Sequence, residues 1–330
     1  MENKDISVYV YGLGTSDYID AAYDDFRKDK KVYLIDRHFR WLSPFRRVHI
    51  SRKLERILRT PYRDTWARFD WQGVRVPSGE PSVIFFLECP EARCRSYVKW
   101  VRERFPHSFL CLNLLNPMNW RDMAGWTSEV CDLFDLVITC SKNDAYEFGF
   151  AYWPDCYSET CANSSGALTS DICFIGRDKG RAEFVWDVFQ AATSSGLKCD
   201  FIIYGDKRGM PQRDGFRYLR TKSQMPYADY LKHVMSARAL LEVLFASQDY
   251  SSLRTMESLV YGKHLVTTNK KALEEPIADA SQIHIVDNPT QVIDVLKEGL
   301  LDLRPSKEAA AFYSPLRLVN YLRERSQQVS

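Results

Sequence analysis

The stretch ICFIGRDKGRAEFVWDVFQAATSSGLKCDFIIY, Ile172 to Tyr204, contains one complete unit of strand, loop, helix and strand. Ile172 to Ile175 is a short apolar run that ends on Gly176. Arg181 to Thr193 carries its apolar residues at helical spacing, and Asp200 to Tyr204 returns to a run typical of a buried strand. Downstream the alternation continues, with strands expected at 216–219, 240–244, 264–267 and 283–286 and helices at 227–238, 253–261 and 290–297. Upstream it appears again, in strands Val8 to Tyr11, Val32 to Ile35, Val83 to Leu87, Phe109 to Leu115 and Leu136 to Cys140, with helices Tyr97 to Phe105 and Lys142 to Phe148. Alternation of this kind predicts mostly parallel sheets covered on both faces.

Asp155 to Ser170, DCYSETCANSSGALTS, has no apolar period and separates the two runs. The expected fold class is α/β, with two Rossmann-like domains facing across a cleft. Residues 1–160 form the first and 161–310 the second. An amphipathic helix from Phe312 to Ser326 fills the closing segment 311–330, for which a return onto the first domain is one placement. Ligands of such sheets bind outside the carboxyl ends of the strands, so the loops there are where chemistry is sought.

The composition supports a soluble globular protein: 45% hydrophobic and 27% charged residues in 330. No uncharged apolar run reaches the ~18 residues of a spanning helix, and the opening Met1-Glu-Asn-Lys-Asp has no apolar core of a signal peptide, so a cytoplasmic protein is expected. The nine cysteines include no C-x2-C pair and are expected to be reduced core thiols. Net charge is only +2, yet ten Lys or Arg lie between Arg37 and Arg68 against two acids, Glu55 and Asp64. The basic surface is local.

Two segments carry the chemistry. In FIGRDKGR, Phe174 to Arg181, a strand runs into Gly176 followed by Arg177, Lys179 and Arg181. Cations beside a glycine at a strand end suit a diphosphate, since Arg offers a planar fork and Lys a compact charge; a solvated basic loop is the alternative. In LEVLFASQDYSSLRTMESLVYGKHLVTTN, Leu241 to Asn269, a strand leads through Gln248-Asp-Tyr-Ser-Ser into a helix whose first N–H groups favour an anion. Ser251 and Ser252 there are equally suited to capping.

Asp249 and Glu257 are separated by seven residues, and the order acid, polar loop, Leu253, helix, second acid, Gly262, strand resembles the E-x7-E segment of retaining GT-B glycosyltransferases such as the family 4 enzymes. FIGRDKGR resembles their diphosphate loop. With Met225-Pro-Tyr227 and Leu253-Arg-Thr-Met-Glu257, the block is similar to bacterial glycosyltransferase-like proteins of capsule, lipopolysaccharide and spore-coat gene sets. Asp249 stands where the retaining families usually have Glu, and Tyr250-Ser-Ser replaces their glycine-rich turn.

The resemblance implies a nucleotide-sugar donor in the second domain and an acceptor at the first, with the donor as substrate and no further cofactor. Gly176, Arg177 and Lys179 would hold the diphosphate, and Arg177 and Lys179 would stabilise the leaving charge. Ser251, Ser252, Leu253 and Arg254 would meet the phosphates at the helix start, and Glu257 the ribose. Tyr204, Gly205, Met225, Pro226 and Tyr227 would line the base. Asp249 would belong to the catalytic set, a retaining outcome is favoured, and metal independence is expected because the chain has no Asp-x-Asp pair.

In the first domain, Tyr11-Gly-Leu-Gly-Thr-Ser-Asp17 has Asp17 where a dinucleotide loop would have its third glycine. Asp17 is a candidate base of the GT-B acceptor side or, more simply, the N-cap of the first helix. Glu88, Asn113 and Asn116 follow strands and are further candidates. In the basic stretch, Ile50, Leu54, Ile57 and Leu58 share one helical side and Arg52, Lys53, Arg56 and Arg59 the other, while Phe39, Trp41, Leu42 and Phe45 mix with Arg37, Arg40, Arg46 and Arg47. That pattern suits an anionic membrane surface, with a core-packed helix as alternative and nucleic acid not expected. The leading expectation is transfer of a sugar to a bacterial cell-surface glycan or lipid-linked acceptor, on the inner face of the membrane. A nucleotide-sugar epimerase of the same fold and a non-catalytic surface-assembly protein are the alternatives.

Overall fold

The computed structural model describes residues 6–14, 16–37, 42–51, 64–77, 80–118, 128–159, 167–205, 213–221, 223–244 and 250–329. Asp249, the candidate helix around Arg52 to Arg59 and the middle of the linker lie outside these residues. The chain divides into two compact units, Met1–Cys156 with Ser314–Ser330, and Tyr157–Tyr313.

The first unit is built on six strands: β1 (Ser7–Tyr11), β2 (Val32–Ile35), β3 (Ser82–Leu87), β4 (Ser108–Leu114), β5 (Leu136–Thr139) and β6 (Ala151–Tyr152). They form one parallel sheet in the order β2-β1-β3-β4-β5-β6. Every residue of β3 and β4 is buried, because both sheet faces are covered. Alternate residues serve opposite cores: Ile84, Phe86, Leu110 and Leu112 pack on one face, Val83, Phe85, Phe109 and Cys111 on the other. β6 is two residues long, too short to produce a period in the sequence.

The second unit repeats the plan with β7 (Ser170–Arg177), β8 (Cys199–Tyr204), β9 (Arg217–Leu219), β10 (Ala237–Glu242), β11 (His264–Thr267) and β12 (Ile283–Ile285). Their order is β12-β11-β10-β7-β8-β9, again parallel throughout. Two doubly wound α/β units are therefore present, as the alternation predicted.

Two boundaries differ from expectation. The helix starting at Tyr227 stops at Ser236, and the backbone turns extended at Ala237, so Arg238 belongs to β10. The closing helix is two, Lys307–Tyr313 and Pro315–Val329. Pro315 has no N–H to continue the first but has the fixed φ that suits the start of the second. Leu318, Val319 and Leu322 of the second are buried with Val8, Val83 and Phe85. Arg323, almost fully buried, donates to the Ile6 carbonyl at 2.9 Å and pairs with Asp29 at 2.8 Å. The eight described cysteines are free, and seven of them are buried. No helix among the described residues is long and apolar enough to cross a membrane.

Candidate functional site

In the second unit β7 has β8 on one side and β10 on the other, and the strand order reverses between β7 and β10. Helices leaving these two strands turn to opposite faces, which opens a crevice beyond their carboxyl ends. Gly176 and Arg177 end β7, and Glu242 ends β10.

Two guanidiniums converge there. Arg181 Nε donates to the Arg177 carbonyl at 3.0 Å and its Nη1 to the Val243 carbonyl at 2.6 Å. Arg254, in the first turn of the Leu253–Tyr261 helix, donates through Nη2 to the Ile175 carbonyl. Both cations stack on the Phe174 ring, their Cζ atoms 5.1 and 4.9 Å from its centroid. Gly176 leaves them room: a Cβ built there would lie 2.8 Å from Arg254 Nη2 and 3.0 Å from Arg181 Nη2. The two guanidinium tips therefore lie beside Gly176 and near each other, so that one anion could bridge them. Burial, followed by the Arg254 charge, lowers the Arg181 pKa to about 9 against the opposing effect of Glu242, so the guanidinium stays protonated at neutral pH.

The loop cations expected to do this work lie elsewhere. Arg177 and Lys179 are exposed, and Lys179 takes a left-handed φ of 46°. Asp178 sets this loop. Its Oδ1 accepts from the Gly180 and Ala182 amides, both at 3.1 Å, and its Oδ2 accepts from the Tyr218 hydroxyl at 2.7 Å. The turn so formed carries Arg181 inward and Arg177 and Lys179 outward. Arg181 was the third cation of the motif, and only the Asx turn at Asp178 could have singled it out.

The helix start also differs from expectation. Ser252 is the N-cap, its Oγ accepting from the Arg254 amide at 3.3 Å. The Ser252 amide, however, already donates at 3.1 Å to Oε1 of Glu242, which also takes the Ser252 hydroxyl. An internal carboxylate holds the place expected for a phosphate. Ser251 donates to Glu275 at 2.7 Å. The signal for Glu242 was a charge inside the apolar run LLEVLF, since an acid in a buried strand needs a reason.

Glu257, expected to meet the ribose, is engaged by tyrosines. It is fully buried and accepts from the Tyr227 hydroxyl at 2.8 Å and the Tyr230 hydroxyl at 2.6 Å. Tyr157 lies 2.9 Å from the Tyr227 hydroxyl and donates to Tyr261 at 2.9 Å. The hydroxyl of Tyr227, expected near the base, is therefore part of this buried network. Tyr204 is buried, and its hydroxyl accepts from the Met225 amide at 3.2 Å, which fixes the turn at Met225 and Pro226. Gly205 is obligatory because a Cβ there would overlap the Tyr218 hydroxyl.

In the first unit Gly12 has φ 121° and packs on β3, where a Cβ would come within 2.9 Å of the Leu87 carbonyl. Ser16, not Asp17, is the N-cap; Asp17 is the first residue of the helix Asp17–Ala22. Glu88 accepts from Arg93 at 2.8 Å, from the Leu115 amide at 2.9 Å and from Asn116 at 3.1 Å, and burial raises its pKa. Asn113 instead donates to the Tyr23 hydroxyl at 2.9 Å.

Part of the basic stretch is internal. Arg46 is buried and pairs with Asp70, which also accepts from Tyr11 at 2.7 Å and Tyr97 at 2.9 Å. Arg46 and Arg37 also pair with Glu91, at 2.8 and 2.9 Å. These cations stabilise the unit by pairing with its buried acids and are unavailable to a surface. Arg47 is exposed, with Phe45 64% and Val48 56% exposed beside it. Among the described residues no group of three His, Cys, Asp or Glu side chains is placed to hold a metal.

No protein-family model matches the chain, and no curated protein matches it in sequence. Among solved structures it is similar to the N-terminal domain of trehalose-6-phosphate phosphatase from Candida albicans, with a TM-score of 0.52 and 13% identity over 98% of this chain and 95% of that one. It is also similar to the UDP-forming α,α-trehalose-phosphate synthase of Burkholderia xenovorans, solved with glucose-6-phosphate, with a TM-score of 0.50 and 11% identity over 97% and 99% of the two chains. At these identities the likeness is one of fold. The chain has the GT-B fold of two Rossmann-like domains.

Proposed function

We propose that this chain is a glycosyltransferase that takes its sugar from a nucleoside diphosphate sugar held by the second unit. The observation that carries the proposal is the pair Arg181 and Arg254, brought to one point above Gly176 at the strand-order reversal. Two like charges held together in a half-buried crevice repel each other until an anion arrives. A diphosphate supplies that anion, and as the bond from sugar to diphosphate breaks, negative charge grows on the terminal phosphate. Guanidiniums already aimed there stabilise that charge without reorganisation. A neighbour in fold named for forming UDP agrees with this ligand.

Metal-independent, retaining transfer and a bacterial surface glycan or lipid-linked acceptor are the finer parts of the proposal; the lack of an Asp-x-Asp pair in the sequence supports the first, and the E-x7-E-like segment Asp249 to Glu257 with its flanking block supports the others. The test is titration calorimetry with UDP, GDP, ADP and the corresponding monophosphates, followed by incubation with the matching donor sugars. A diphosphate should bind at least ~10-fold more tightly than its monophosphate, because a charge-assisted bond is worth ~1.5 to 3 kcal/mol. Absence of diphosphate binding would refute the donor site, and conversion of the donor sugar without acceptor would replace transfer by epimerisation.

For the membrane part of the proposal, the support is now narrower. It rests on the exposed Phe45, Arg47 and Val48 and on the sequence pattern of Arg52, Lys53, Arg56 and Arg59. Replacing those four cations with Gln should remove sedimentation with anionic vesicles at low salt and leave the melting temperature nearly unchanged. Wild-type indifference to such vesicles would end the membrane assignment.

A further inference from the structure

Glu242 is fully buried at the end of β10 and accepts from four neutral donors. Oε1 accepts from the Ser252 amide at 3.1 Å, from the Ser252 hydroxyl, and from the Thr255 hydroxyl at 3.1 Å; Oε2 accepts from the Thr267 hydroxyl at 2.6 Å. Ser252 and Thr255 flank Arg254 on the same turn. The residue just after β10, Val243, supplies the carbonyl that Arg181 grips. One carboxylate therefore touches the turn that presents one guanidinium and adjoins the anchor of the other.

Resting on the donor-site reading above, we infer that Glu242 is a positioning and charge-setting residue of that site. It pins the turn that carries Arg254 opposite Arg181, and it supplies the negative charge that lets the two cations stay together while the site is empty. Both of its oxygens are held by side chains and backbone of its own unit, which suits a positioning role rather than direct action on a substrate. The same charge acts against the ligand. An internal carboxylate at a helix N-terminus occupies the favourable place for an anion and repels a phosphate arriving nearby. Affinity for the diphosphate is thereby held below what two guanidiniums and a bare helix end would give, which favours release of the nucleotide after transfer.

A merely structural acid and a charge-setting acid predict opposite results for Glu242→Gln. The amide keeps the shape: Oε1 can still accept from Ser252 and Thr255, while Nε2 can donate to the Thr267 oxygen. Only the charge is lost. The empty protein should then melt at a lower temperature, because Arg181 and Arg254 repel with less compensation, Asp178 being the nearby acid that remains. Diphosphate should bind more tightly, by roughly 3- to 10-fold for one unit charge removed at close range in a partly screened site. Glu242→Asp, which keeps the charge, should bind with nearly wild-type affinity.

The measurement is calorimetric titration of wild type, Glu242→Gln and Glu242→Asp with the preferred nucleoside diphosphate and with inorganic pyrophosphate, together with melting of each empty protein. If wild type binds diphosphate and Glu242→Gln binds it equally or more weakly, the charge-setting role is wrong and the donor site stands. Should no variant bind either diphosphate or pyrophosphate, the donor site itself is wrong and this inference falls with it. If Glu242→Gln melts below the assay temperature, Arg181→Gln is added to it. The double variant has the same net charge at the site as the wild type and should recover much of the lost melting temperature; no recovery overturns the inference.

Discussion

Arg254→Gln should bind nucleoside diphosphate about 10- to 100-fold more weakly than the wild-type chain, the equivalent of losing one charge-assisted hydrogen bond of ~1.5 to 3 kcal/mol. The fold should not suffer in proportion. Arg254 is one of two cations that repel across Gly176, and its removal relieves the burden that lowers the Arg181 pKa. The melting temperature of the empty protein is expected to hold or rise while binding collapses. Gly176→Ala tests the same geometry without touching a charge. Its Cβ would meet the tips of two flexible side chains, which can swing aside at small cost to stability but then no longer converge. Arg177→Gln and Lys179→Gln should each cost less than ~3-fold, because exposed charges act through water and salt. If Arg177→Gln weakens binding more than Arg254→Gln, the anion sits on the outer face of the loop and the crevice assignment is wrong.

That contrast shows which parts of the site could be seen in the sequence. Periodicity found the strands to within a few residues, because burial on both faces leaves continuous apolar runs such as SVIFFL and SFLCLNL. The two segments that meet at the strand-order reversal were also legible, since a glycine at a strand end and serines before a helix are local signals. Choosing among Arg177, Lys179 and Arg181 was another matter. That choice depends on Asp178 closing a turn and on Tyr218 fixing Asp178 from another strand. Glu242 was not singled out: an acid in an apolar strand is a signal, but its partners Ser252, Thr255 and Thr267 are assembled only by the sheet order. The basic stretch was only partly legible for the same reason. Ten cations between residues 37 and 68 look like one surface, yet Arg37 and Arg46 find Glu91 and Asp70 far along the chain.

Between pH 5 and 8 the stability of this protein should fall, and Glu257→Gln should remove most of that fall. Burial raises the Glu257 pKa from 4.5 to about 7, outweighing the tyrosine hydrogen bonds and the Arg254 charge, which pull it down. In the unfolded chain the carboxyl titrates near its ordinary value. Below that value both states are protonated, and the folded protein has no charge to bury. As the pH rises, the unfolded state loses its proton first, and folding must take the proton back up until the folded pKa is passed. The associated stability is thus complete in acid and lost by about pH 7, a change of ~3 kcal/mol for a shift of this size in a fully buried group. Glutamine cannot titrate and can keep the network, with Oε1 accepting from Tyr230 and its amide donating to Tyr227, which turns its own hydroxyl to Tyr157. Melting curves from pH 5 to 8 should therefore converge at the acid end and separate at the alkaline end, with the variant the more stable. Because both carboxylate oxygens are engaged by tyrosines, diphosphate affinity should stay within ~3-fold of wild type. Parallel melting curves would remove Glu257 as the titrating group, and a tenfold loss of nucleotide binding would place it back against the ribose.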